Sequence, residues 1–131
     1  MNVTAQIILD ENNYVVADIP LISLEGLIDN SIAYINLRTG LSLSFLSGAP
    51  GSKSVTLNGN PAVLVKMLTT LMTKAFVDRG PNASVGGLSV TSVISDPQYS
   101  LYMKLIEMAL TQLAITESGA SSGRVFLKTE V

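Results

Sequence analysis

The apolar positions change period several times along the chain, and each change marks an element. Over the first twenty residues Val3, Ala5, Ile7 and Leu9 alternate with Thr4 and Gln6. A turn cluster, Asp10-Glu11-Asn12-Asn13, precedes Tyr14-Val15-Val16. A period of two with a polar break predicts an extended segment 1–20, folded as strand–turn–strand, although Ile8 interrupts the alternation. From Ser23 to about Arg38 the period becomes helical. Leu24, Leu27, Ile28, Ser31, Ile32 and Ile35 share one face, Ser23 is placed as N-cap, and Gly40 supplies a left-handed stop.

A serine- and glycine-rich connector occupies 41–60, with a short strand predicted over Ser54 to Leu57. Asn60-Pro61 then opens the strongest helical pattern, a cap residue followed by proline at the first helical position. Val63, Leu64, Met67, Leu68, Leu71, Met72, Ala75 and Phe76 make a stripe too wide for a surface helix, so this element is expected at the centre. Gly80-Pro81 ends it. Residues 82–95 read as extended around Gly86-Gly87. A third helix begins at Asp96-Pro97, its face assigned to Leu101, Tyr102, Leu105, Ile106, Ala109, Gln112 and Leu113. Ser118 to Gly123 reads as a flexible linker, and Arg124 to Val131 as a β-prone tail.

The expected fold is therefore mainly α: a small bundle of about three main helices, with short β segments at the N-terminus, in loops and in the C-terminal tail. Residues 1–118 form the helical-bundle domain and 119–131 the linker and tail. The core is assigned to Leu27, Ile28, Ile35, Leu64, Met67, Leu68, Leu71, Leu101, Leu105 and Ala109. Met103 and Met108 fall off the face assigned to the third helix and are read as a subunit contact.

Composition narrows the chemistry. Of 131 residues, 47% are hydrophobic and 14% charged, against roughly 25% charged in a typical domain, which excludes an intrinsically disordered chain. The chain has neither cysteine nor histidine, so disulfides, thiolate or imidazole metal sites and every imidazole-based triad are ruled out. A net charge of −2 offers no basic patch for tight binding of phosphates. No apolar run approaches the roughly 18 residues of a membrane span, and Met1-Asn2-Val3-Thr4 lacks a basic leader, so a cytosolic chain is expected. A mean hydropathy of +0.44 is high for a small soluble monomer, and burial against other subunits is the simplest outlet.

Few residues suggest a reactive site. Glu25 and Asp29, four apart on one helix, could hold a divalent cation or act as an acid–base pair, but read first as solvated charges. Lys66 and Lys74 read as a solvated face, and Asp78-Arg79-Gly80 as a helix end. Gly86-Gly87 lacks the motif context that cradles phosphate. No cofactor and no metal are expected, since only hard oxygen ligands remain and no three carboxylates lie within one loop. The tail has two readings: Arg124, Val125, Phe126, Leu127, Lys128 and Val131 dock on a neighbouring protein, or they pair with the chain's own N-terminal strands.

The order of elements also resembles a known family. The helix from Leu27-Ile28-Asp29 through Tyr34-Ile35 to Thr39-Gly40 resembles the LIDxAxxYIxxxTG helix of head–tail connector proteins of tailed bacteriophages, the adaptor or head-completion proteins. Pro61 to Gly80 is similar to that family's central PxxLKxAxLxLxxxxYxxR helix, with Phe76 at the usual aromatic position. Gly87-Leu88-Ser89-Val90-Thr91-Ser92, leading into Tyr99 and Tyr102, looks like its GGxSxTxS…Y segment. The resemblance covers roughly residues 21 to 115. Family members commonly begin with a short helix where this chain reads extended, and its tail is more β-like than theirs.

The resemblance implies a structural virion protein without a catalytic centre, assembled as a homo-oligomeric, usually dodecameric, ring beneath the portal. Its partners would be the portal protein and the next tail or stopper ring protein. DNA would pass through the channel without specific binding, and no membrane would be involved. Its place would be the virion neck, and the host cytoplasm during assembly. The alternatives are another tail-completion or stopper protein, a small oligomerising cellular helical binding module, and last an enzyme working through carboxylates or serines.

Overall fold

The computed structural model describes residues 1–80 and 83–122, without the side chains of 94 and 117–122. Arg124 to Val131 lie outside the described residues. The fold is mainly α, with three long helices and a short N-terminal strand pair.

Strand β1 (Asn2–Thr4) runs straight into helix α1 (Ala5–Glu11), where the alternation predicts extended chain. Ile8, the residue that breaks the alternation, carries the decisive signal. Ala5, Ile8 and Leu9 are buried together at helical spacing, and the Thr4 hydroxyl caps the helix by accepting from the Ile7 N–H at 3.2 Å. Asn12 closes it, its amide donating to the Ile8 carbonyl and to Thr70 Oγ1. Asn13 then takes φ 59°, a left-handed conformation that asparagine tolerates better than most residues.

Helix α2 (Leu21–Thr39) begins two residues before the expected Ser23, with Pro20 as its N-cap and no side-chain cap bond. Its end is as expected: Gly40 at φ 76° donates to the Asn36 carbonyl. Gly26 has a packing role, because a Cβ there would come within 3.0 Å of Val85 Cγ1 in the loop that crosses α2. Strand β2 (Ser54–Thr56) pairs antiparallel with β1 in the register Val3↔Val55.

Helix α3 (Gly59–Arg79) follows with Asn58 as N-cap, which leaves Pro61 in the first turn where no N–H is needed. Ten of its residues are buried, Thr69 and Thr73 among them, as befits a central helix. A five-residue helix, α4 (Val90–Ile94), replaces the extended segment expected there; Ser89 caps it by accepting from the Ser92 N–H. Asp96 caps a 3-10 turn (Pro97–Tyr99) that leads directly into helix α5 (Ser100–Ser122). Helix α5 thus continues through most of the stretch expected as linker. Each residue added to a formed helix gains a backbone hydrogen bond, which offsets the poor propensity of Gly119.

Helices α2, α3 and α5 pack against one another around a single apolar centre. Leu27, Ile28, Ile35, Leu64, Leu68 and Leu71 lie in it as expected, and Ala109 is partly buried against it. Met67, Leu101 and Leu105 do not. They are 40%, 68% and 54% exposed, whereas Met103, assigned to a subunit contact, is 3% exposed and belongs to the core. The reason is a rotation of α5. Its buried set is Met103, Ile106, Leu110 and Leu113, continuing from Tyr99, and the assigned face straddled this set and its exposed neighbour.

Candidate functional site

The side chains singled out for chemistry are mostly engaged in holding the fold. Glu25, expected as a solvated charge, is buried, and its two carboxylate oxygens accept from the backbone N–H groups of Gly51 and Lys53, each at 2.9 Å. One turn on, Asp29 Oδ1 accepts from the Leu46 N–H at 3.0 Å. Two turns further, the Asn36 amide brackets Leu43, accepting from its N–H at 2.8 Å and donating to its carbonyl at 3.1 Å. Three side chains on one face of α2 therefore satisfy the backbone of an irregular connector that has little sheet pairing of its own. Glu25 is therefore not the solvated charge expected: both of its oxygens are committed to the connector, and Asp29 is half-buried with one oxygen so committed.

The other charged residues tie elements together. Lys66 pairs with Glu11 of α1 at 2.7 Å, and Lys74 lies 3.9 Å from Asp78. Arg79 donates to the Gly87 carbonyl, and the Gly87 N–H donates to Ser84 Oγ, so Gly86-Gly87 sits in a turn fastened to the end of α3. Arg38 of α2 pairs with Glu107 of α5 and donates to the Tyr34 hydroxyl, which itself donates to Glu107. Burial, ahead of the neighbouring Glu107 charge, raises the Tyr34 phenol, while the bond to Glu107 raises Arg38 further. Among the described residues no three acidic side chains gather as a metal site would require, and no helix is long and apolar enough to cross a membrane.

Asp78 also accepts from the Tyr99 hydroxyl at 2.6 Å, which joins the end of α3 to the start of α5. Burial first, and then this bond to a carboxylate, push the Tyr99 phenol up from 10 to about 12. The folded protein thus holds that proton more tightly than the unfolded chain does. The resulting stabilisation is complete below pH 10 and is lost as pH rises through 12. Tyr99→Phe is expected to lower stability by about 1–2 kcal/mol at neutral pH and to flatten the decline between pH 10 and 12. Denaturant titrations of both proteins across that range measure the effect.

What remains unexplained by folding is an open apolar groove of about 570 Å³ between α3, α5 and the end of α1. Met67 and Leu71 of α3 form one wall; Tyr102, Leu105 and Ile106 of α5 form the other; Tyr14 closes one end. Lys66, Lys74 and Glu11 stand at the rim. Helix α5 carries two apolar seams, and the groove takes Ile106 from one and Leu105 from the other. The inward one is Tyr99, Met103, Ile106, Leu110 and Leu113; the outward one is Leu101, Leu105, Met108 and Ile115, with Gln112 in register. Both repeat at alternating steps of four and three, the spacing of a helix–helix seam, and they are offset by two residues.

Met108, 70% exposed, lies on the outward seam, off the core as the sequence reading expected. The feature that reading missed is the seam as a whole, whose signal was present: a second apolar set at the same period on one helix, interrupted only by Gln112. Protein-family models, curated proteins and solved structures were compared with the chain. None matches.

The groove is an open apolar receptor. It can take up an apolar segment lengthwise, as helix pairs accept a peptide or a third helix, with both charge signs at the rim to orient it. Its lining of methionine, leucine and tyrosine suits a protein contact better than a small polar ligand.

Proposed function

We propose that this chain is a structural virion protein: it forms a ring beneath the portal, joins the phage head to the tail and continues the DNA channel. The single observation that carries an assembly role is the outward seam of α5 with the groove beside it. A small monomer rarely leaves a connected apolar strip of this kind in water, so the strip marks a contact surface. The resemblance over residues 21–115 supports the particular assembly. Its motif positions carry architecture here: Asp29 holds the connector, Tyr34 bonds Glu107, and Gly40 ends α2. Helix α1 also stands where members of that family begin with a short helix. A net charge of −2 suits a channel wall that lets DNA slide past rather than holding it.

The test is co-sedimentation with portal assemblies. Wild-type chain is expected to sediment with them, whereas Leu105→Asp, which places a carboxylate in the groove, should not. Because Leu105 is exposed, that variant should keep its folding stability within about 0.5 kcal/mol. Failure of the wild-type chain to sediment with portal would overturn the connector reading. Normal sedimentation of Leu105→Asp would remove the groove from it.

A further inference from the structure

The groove between α3 and α5 is open, apolar and unoccupied by any described residue, while the chain's most apolar unassigned stretch lies beyond the end of α5. That stretch, Arg124-Val125-Phe126-Leu127-Lys128-Thr129-Glu130-Val131, places three consecutive apolar residues between two cations. A run of this kind exposed on every copy would promote aggregation unless it had a receiving surface. The rim suits it, since Glu11 and Lys74 are both partly exposed there and offer partners to the tail's cations and to Glu130.

Reach decides which copy supplies the segment. Helix α5 runs to Ser122, and Leu105 lies seventeen residues before that end. At 1.5 Å per residue Leu105 therefore sits about 25 Å back along the helix. Phe126 is only four residues beyond Ser122, so even a fully extended chain carries it no more than about 14 Å. Phe126 therefore cannot reach Leu105 of its own chain. A neighbour's groove carries no such limit.

We propose that the α3–α5 groove is the receptor for residues 124–131 of a second copy of this chain, so that each protomer's tail docks on the next. Phe126, flanked by Val125 and Leu127, is the anchor, and Met67 and Leu105 are the walls that receive it. This exchange is heterologous: donor and acceptor surfaces differ, so repeated docking builds a ring when the rotation closes. The inference rests on the groove being an assembly surface, but not on which particle the assembly belongs to.

The absence of cysteine allows a direct test, since any introduced thiol is unique. Full-length Met67→Cys and full-length Phe126→Cys chains, distinguished by an affinity tag on one, are mixed and treated with a short thiol-to-thiol cross-linker. The expected product is a covalent dimer containing one of each chain, lost when a peptide of residues 123–131 is added in excess and retained with the same peptide carrying F126D. A chain bearing both substitutions should give a ladder of multimers. Cross-linking of that double variant within single chains would overturn the proposal, because it would put the tail in its own groove. So would a mixture in which Met108→Cys chains link to one another while Met67→Cys and Phe126→Cys do not, because α5 would then pair with α5. If the Met67–Phe126 link is absent and Leu105→Asp still abolishes assembly, the tail assignment alone is wrong. If Leu105→Asp leaves assembly intact, the reading of the groove as an assembly surface falls with it.

Discussion

Replacing Glu25 with alanine is expected to destabilise the protein by about 2–4 kcal/mol, a large effect for one side chain on a helix. The carboxylate is buried and receives the backbone N–H groups of Gly51 and Lys53. Hydrogen bonds to a charged group are worth roughly 1.5–3 kcal/mol each, and truncation leaves two amide donors without their acceptor. The loss is kept below the sum of both bonds because the connector can move outward and let water reach those amides. Glu25→Gln should also be destabilising, since one of its two terminal atoms would turn from acceptor to donor and oppose an N–H. Chemical denaturation measures the stability. Amide hydrogen exchange locates it: Gly51 and Lys53 should exchange faster in Glu25→Gln, with the centre of α3 little changed. If both variants match wild type, the carboxylate does not hold the connector.

The second large effect is expected in the core. Leu68 is fully buried on helix α3, which packs against both α2 and α5. Leu68→Ala removes apolar contacts and leaves a cavity that surrounding helices fill only in part, for a cost of about 2–5 kcal/mol. Met67, its immediate neighbour in sequence, points into the open groove, so Met67→Ala should cost less than about 1 kcal/mol. The pair makes a sharp comparison. Equal losses at the two positions would contradict the orientation of α3, and with it the separation of core from groove.

Much of the fold was readable because the signals were local. Gly40, with its positive φ, ends α2 where an abrupt loss of helical period meets a glycine. Asp96-Pro97 starts the last helical region by capping Gln98 and presenting no N–H where none is needed. The extensive burial of α3 follows from a broad apolar stripe, of which Val63 and Met67 alone stay exposed. Such features depend on residues a few positions apart. The N-terminal helix was misread for the same local reason: over 3–9, alternate residues are apolar, but Ala5, Ile8 and Leu9 also satisfy a helical period. A short segment fits both patterns, and the Thr4 cap with burial against α2 selects one.

By itself the sequence determined that the chain is mainly helical, with its strongest helix largely buried, rich in apolar surface and devoid of thiol and imidazole chemistry. Only the tertiary structure decided which apolar seam of α5 faces inward, because both have the same spacing and similar side chains. The choice depends on where α2 and α3 lie, which no window along α5 contains. The same holds for Glu25, Asp29 and Asn36. Their spacing on one helical face is visible in the sequence, but the backbone they bind arrives from residues 43–53, and a carboxylate facing water has the same sequence as one facing an amide. Secondary structure answers to neighbours along the chain; burial and hydrogen-bond partners answer to neighbours in space, and the groove is the space those decisions left open.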